Sequence, residues 1–240
     1  MIRQSVYPEL PHQEVHIWLA SLNQSDFELT SLWKVLAADE RGRAGQFHFE
    51  RDRKYFVAAR GILRCLLGRY LGVAPHEIIF GYGPAGKPTI EDPRVGLEFN
   101  LSHAGDLALY AFSSCGAVGI DHEPLGKTVT WHELAPMVFS TREQEELKRY
   151  PDEEKPHAFL RGWTRKEAYV KARSGGLSMP LDQFSVPLAH RQKPLLVCIA
   201  GSEGTSHNWW LHVLDTIQGY AAALVVEGGP AILRYQTWTG

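Results

Sequence analysis

Cysteine is scarce in this chain: three residues, at positions 65, 115 and 198, odd in number and far apart. That spacing excludes a disulfide framework and paired-cysteine metal sites, and reads as free thiols in a reducing compartment. Long apolar runs are missing too. The longest are strand-sized, such as "AAALVV" at 221–226, so no segment reads as a membrane span. The start, "MIRQSVYPELPHQEV", lacks a basic-then-apolar secretory design, and a cytoplasmic location is the expectation. Net charge is only −2, so no broad positive field is offered to nucleic acid. Any anionic ligand would be held by a few placed cations. Two familiar motifs are absent as well. "AGKP" at 85–88 lacks the long loop and the Ser/Thr of a phosphate-binding P-loop, and "WHEL" at 131–134 lacks the second histidine of a zinc protease.

What is present is a globular composition, 44% hydrophobic and 22% charged, in a chain of 240 residues. That length suits one large domain or two small ones. "EVHIWLA" (14–20) alternates as a strand, and a helix is expected around 26–38. Residues 50–71 place Phe56, Ala59, Leu63, Leu66, Leu67 and Tyr70 on one helical face, with Gly72 as the stop. Three short strands follow, at 97–102, 107–113 and 117–123, divided by turn residues. Helices are expected near 130–138, 140–149 and 153–173, the second opened by a Ser140/Glu143 capping box and the third stopped at Gly175–Gly176. Strands at "FSVPL", "LLVCIA", "NWWLHVLD", "YAAALVVE" and "ILRYQTW" close the chain. Helices followed by antiparallel strands, twice over, give an α+β expectation: two halves, 1–117 and 118–240, packed closely because no low-complexity linker divides them.

Four short stretches carry chemistry. In "GIDHE" (119–123) residues two apart share a strand face, so Asp121 and Glu123 project together while His122 points away. Adjacent carboxylates repel unless a cation neutralises them, and an oxygen-only pair suits Mg²⁺ together with phosphate oxygens. A solvated strand end is the plainer alternative. In "WTRKEAYVKA" (163–172), Glu167 and Lys171 stand one helical turn apart, which alone is an ordinary surface ion pair. "FNLSH" (99–103) ends a strand with an amide, a hydroxyl and an imidazole; Ser102 and His103 face opposite ways and make a poor nucleophile–base pair. "GKP" (86–88) sets Lys87 on a rigid tip.

Taken together and in this order, "GKP", "FNLSH", "GIDHE" and "WTRKEAYVKA", with "RAGQFHFERDRKYFVAARGILR" (43–64) upstream, resemble the 4′-phosphopantetheinyl transferases of the surfactin-synthetase-associated type, in their bacterial form. The resemblance covers about residues 40 to 188. It implies a pseudo-twofold monomer of two similar α/β subdomains, each with antiparallel strands packed on helices, and coenzyme A in the cleft between them. It implies transfer of 4′-phosphopantetheine from coenzyme A to a serine of an apo acyl, peptidyl or aryl carrier protein, with release of 3′,5′-ADP, and no nucleic acid or membrane partner. On this resemblance Asp121, Glu123 and Glu167 match the Mg²⁺ ligands, with Mn²⁺ as the alternative metal. Asp121, Glu167 and Lys171 match the catalytic group. Arg43, Lys87, Ser102, His103 and Lys171 match coenzyme A contacts, with Arg43 and His103 toward the 3′-phosphate. Glu40 departs from the pattern, standing where certain relatives carry a second basic residue, with Arg53 or Arg60 as candidates to replace it. A Mg²⁺-dependent nucleotide phosphohydrolase and a non-catalytic coenzyme A binder stay open as alternatives. So does carrier docking on the segment Leu125 to Phe139.

Overall fold

The computed structural model describes residues 10–83, 86–91, 96–174, 179–189, 194–196, 198–199, 209–215 and 217–240. Along the chain run β1 (Glu14–Ser21), α1 (Asp26–Val35), α2 (Ala38–Ala44), α3 (Glu50–Leu71), β2 (Phe80–Tyr82), β3 (Pro88–Ile90), β4 (Glu98–Ala104) and β5 (Leu107–Ser113). The second half continues with β6 (Val118–Pro124), α4 (Trp131–Val138), α5 (Thr141–Lys148), α6 (Lys155–Ala172), β7 (Phe184–Ser185), β8 (Leu195–Leu196), β9 (Cys198–Ile199), β10 (Trp209–Val213), β11 (Tyr220–Glu227) and β12 (Ile232–Thr237). The single helix expected over 26–38 is two: Leu36 and Ala37 are extended, and Glu40 turns back to accept from the Ala37 amide at 2.8 Å. Each of these helices therefore starts with its own cap. The stop expected at Gly175–Gly176 lies outside the described residues, and α6 is capped at Arg173. Cys65 and Cys115 are free thiols; the side chain of Cys198 lies outside the described residues.

The fold is α+β, with two four-stranded sheets ordered β12-β1-β5-β4 and β6-β11-β10-β8. Small hairpin-like pairs, β2-β3 and β7-β9, flank them. Every pairing is antiparallel except β12 on β1, so the last strand of the chain crosses to complete the first sheet. Strand alternation sorts the apolar residues into layers. Trp18, Ala20, Tyr110 and Phe112 face α1 and α3, whereas Val15, Ile17, Leu109 and Ala111 meet Val118, Ile120, Leu224 and Val226 of the other sheet. Ala223 and Val225 face α6 on the far side. The result is four layers: helices, sheet, sheet, helix.

The two halves repeat at the level of single side chains. Glu40, third residue of α2, caps its own helix and pairs with Arg60 and Arg64 of α3, the latter at 2.5 Å. Arg64 also donates to the Pro75 and Ile78 carbonyls, both at 2.9 Å. Glu143, third residue of α5, caps its own helix at Ser140 and pairs with Lys166 of α6 at 2.7 Å. Lys166 donates in turn to the Leu181 and Phe184 carbonyls, both at 2.6 Å. In each half one buried acid joins the middle helix to the long helix, and the cation continues to carbonyls three residues apart in the segment beyond. Glu143 and Lys166 are 1% and 0% exposed. Neither charge has water as a substitute partner, so losing one member leaves the other uncompensated at a cost of about 3–5 kcal/mol.

Gly119 sets how near α6 comes to β6. A Cβ there would meet the Ala168 carbonyl oxygen at 2.1 Å and the Ala172 amide at 2.3 Å. The contact is with backbone on both sides, so a side chain has nowhere to move. We expect Gly119→Ala to lose about 3 kcal/mol or more, seen as a melting temperature lower by about 6–12 °C; an unchanged melt would mean that α6 shifts freely over β6.

Candidate active site

Close approach at Gly119 brings the middle of α6 over the end of β6, and alternation turns Asp121 and Glu123 toward it. His122 points the other way, buried against the Tyr220 ring at 5.6 Å. Burial holds its imidazole down to about 4, so it is neutral at ordinary pH. Across the seam Lys171 donates to Asp121 Oδ1 at 2.6 Å, and the Ser102 hydroxyl donates to the same oxygen at 2.9 Å. Asp121 is only 6% exposed. Burial raises its carboxyl pKa, against the pull of Lys171 and Ser102. Glu167 is also raised, first by desolvation and then by the charge of Asp121, with Glu123 adding to it and Lys171 opposing. Asp121, Glu123 and Glu167 thus act on one another electrostatically. Glu123 meanwhile receives Lys127 on both oxygens, at 2.9 and 3.0 Å.

These groups line a cavity of about 440 Å³ together with Lys87, Asn100, Ser102 and His103. Through Gly86, Pro88, Leu101 and His103 it adjoins a second cavity of about 600 Å³ that holds Arg43, Arg60 and Tyr82. His103 stands at the junction, and desolvation and Lys171 lower its pKa. Every site residue expected from the sequence therefore lies in one branched cleft, Arg43 in the second branch. Arg53 does not line it; it pairs with Glu50 on the outside of α3. Arg60 does line it, but its guanidinium is engaged by Glu40 and the Tyr82 hydroxyl and lies 4.2 Å from the Phe80 ring centroid. Glu40 also lines the second cavity, but it is buried and its carboxylate is engaged by Arg60 and Arg64.

Lys87 is placed unexpectedly. Its ammonium donates to the Val118 carbonyl at 3.0 Å and the Lys171 carbonyl at 2.9 Å, and burial lowers its pKa to about 8. Asn100 Oδ1 accepts from the Ile120 amide at 2.9 Å. Lys127 escaped the sequence reading, although its place four residues beyond Glu123, across a Pro-Leu-Gly turn, was the available signal.

Residues 117–225 match the model of the 4′-phosphopantetheinyl transferase superfamily, and residues 20–115 match that of a 4′-phosphopantetheinyl transferase N-terminal domain. The 4′-phosphopantetheinyl transferase HetI of Nostoc sp. is 38% identical over 235 residues, covering 95% of this chain and 96% of the relative. The chain belongs to the 4′-phosphopantetheinyl transferase family. Further relatives include a 4′-phosphopantetheinyl transferase of Bacillus subtilis, 31% identical over 64% of this chain and 67% of its own, and AcpT of Escherichia coli, 43% identical over 47% and 55%. This transferase moves 4′-phosphopantetheine to carrier proteins, with coenzyme A as co-substrate. Among its described residues no helix is long and apolar enough to cross a membrane.

Among the described residues no group of three acidic, imidazole or thiol side chains is arranged to hold a metal ion. The reason is visible: Asp121 is turned onto Lys171 and Ser102, and Glu123 onto Lys127. The raised Glu167 carboxyl has a consequence for stability. Its folded pKa lies above the unfolded value of 4.5, so the folded state loses stability as pH rises through the folded pKa. Glu167→Gln is expected to melt at a higher temperature than the wild type at neutral pH, with the gap closing below pH 4.5, in thermal melts across that range; a lower melting temperature at neutral pH would contradict the assigned direction.

Proposed function

We propose that coenzyme A lies along the branched cleft. Its diphosphate would sit at Asp121, Glu123, Glu167 and Lys171, and its 3′-phosphate end would point to His103 and Arg43. The observation that carries this reading is geometric: Asp121, Glu123 and Glu167 line one cavity with Lys87 and Lys171, and that cavity adjoins another that bears Arg43. The acids also fit Mg²⁺, or Mn²⁺. The donors are all oxygen and the Glu167 carboxyl feels the charge of both others; Asp121 and Glu123 would have to turn from Lys171 and Lys127 to take the metal. When bound, the metal would polarise the diphosphate and offset charge on the leaving group.

The chain's own residues do the rest. Glu167, its pKa raised by burial and by its acidic neighbours, is suited to take the proton of the carrier serine as that oxygen attacks phosphorus. Asp121 holds the Lys171 ammonium in the cleft, where it stabilises the charge developing on departing 3′,5′-ADP. Ser102 fixes Asp121 from the opposite side. Since Glu40 engages Arg60 and Arg64, Arg43 is the cation we assign to the 3′-phosphate. The carrier would dock on the segment Leu125 to Phe139, where Met137 of α4 is 73% exposed and Trp131 is half-buried. Both branches of the cleft come from one chain, with β12 of the half 118–240 completing the sheet of the half 1–117. This supports an active monomer, which we place in the cytoplasm.

Two outcomes test the assignment. With an apo carrier protein, coenzyme A and Mg²⁺, Glu167→Gln should reduce transfer by about 10²-fold or more while calorimetry still records coenzyme A binding; turnover at the wild-type rate removes Glu167 as base. Arg43→Ala should raise KM for coenzyme A about tenfold or more, with little effect on KM for its 3′-dephospho analogue; equal losses for both would move the 3′-phosphate elsewhere.

A further inference from the structure

β6 is the outermost strand of its sheet, and its pairing with β11 uses only one edge. Backbone groups on the other edge still need partners, because Val118 and Ile120 are fully buried. Side chains supply them. Asn100 takes the Ile120 amide, Lys171 approaches the Ile120 carbonyl at 3.4 Å, and Lys87 takes the Val118 carbonyl at 3.0 Å. The second bond of Lys87 goes to the Lys171 carbonyl, in the last turn of α6, where the helix dipole favours a cation; the Ser174 amide reaches the same carbonyl at 3.3 Å.

From this geometry we infer that Lys87 is a positioning residue: its ammonium stays on the Val118 and Lys171 carbonyls while coenzyme A is bound, and acts on the reaction through the pose of Lys171. It straps the end of α6 to the start of β6, across the same seam that presents Lys171 to Asp121. Next to it the Gly83 amide donates to the Lys87 carbonyl at 3.0 Å and the Gly86 amide to the Gly83 carbonyl at 2.8 Å. Moving the ammonium to a phosphate would strand the buried Val118 carbonyl, at a cost of about 1–3 kcal/mol, and leave the Lys171 carbonyl with the Ser174 amide at 3.3 Å. A polyanion in the cleft meets Arg43, whose guanidinium lies 5.5 Å from the Phe56 ring centroid, without stranding a carbonyl. The inference rests on the cleft being the coenzyme A site.

The test has two arms. In the first, wild-type protein is reductively methylated with and without saturating coenzyme A, and each lysine is followed by mass spectrometry. Lys87 should stay unmodified in both samples while half-exposed Lys127 reacts. Modification of Lys87 in the free protein with protection by coenzyme A would overturn the inference. The second arm compares Lys87→Met and Lys87→Arg. The Met variant should keep the Kd for coenzyme A within about threefold and lose about tenfold or more in kcat, and Arg should recover most of that loss. The reverse split, with Kd and KM about tenfold higher and kcat kept, would also overturn it. If the Met variant fails to fold, the labelling and the Arg variant still decide. A failure of the cleft assignment would show separately, as an unchanged KM for coenzyme A in Arg43→Ala, and would not alter the labelling pattern.

Discussion

The site depends on an edge strand whose free backbone groups are satisfied by side chains instead of a neighbouring strand. β6 carries Asp121 and Glu123, and its outer edge faces β4, the β2–β3 hairpin and the end of α6. A buried edge without partners would cost more than the fold can bear. Asn100, Lys87 and Lys171 remove that cost, and in doing so bring three distant segments to the two carboxylates. Ser102 joins them because it lies two residues beyond Asn100 on the same face of β4. Backbone satisfaction and active-site assembly are therefore one event here.

The seam works only if α6 is rigid and close. Closeness comes from Gly119, and rigidity from the Glu143–Lys166 clamp, which ties α5, α6 and the segment at Leu181–Phe184 into one block. The first half builds the same clamp from Glu40 and Arg64. The halves then diverge. On β1, the face toward α3 holds His16 and Trp18, both bonded to the Tyr70 hydroxyl, at 2.8 and 2.9 Å. That polar cluster is closed within the core, whereas the second half opens its corresponding face as a cleft lined with acids. Each half has a buried ion pair joining its middle helix to its long helix, and the second lines its long-helix face with acids.

Much of this was legible in the sequence. Period-2 alternation placed Asp121 and Glu123 together and turned His122 away, and the capping box at Ser140 and Glu143 marked α5 correctly. The residues singled out from Arg43 to Lys171 line two adjoining cavities. The side-chain repeat was not legible, because one clamp uses arginine and the other lysine, and because a buried acid reads like any polar helix residue. Nor was Glu40 readable as structural: its carboxylate is defined by two arginines that lie 20 and 24 residues away in the chain. Lys127 and Lys87 were obscured for a similar reason, since a lysine's partner is set by where its long stem can reach.

By itself, the sequence determined the periodic and local features: which residues share a face, where helices begin, and which chemical groups are available. These follow from backbone geometry within a few residues and need no knowledge of the fold. Only the tertiary structure decided which charges meet. Asp121 reaches Lys171 fifty residues on, Glu40 takes Arg64, and Lys87 bridges a strand and a helix. Burial and separation in space govern such pairings, because desolvation makes an unpartnered charge costly wherever it lies in the chain. Spacing along the sequence carries no record of that cost.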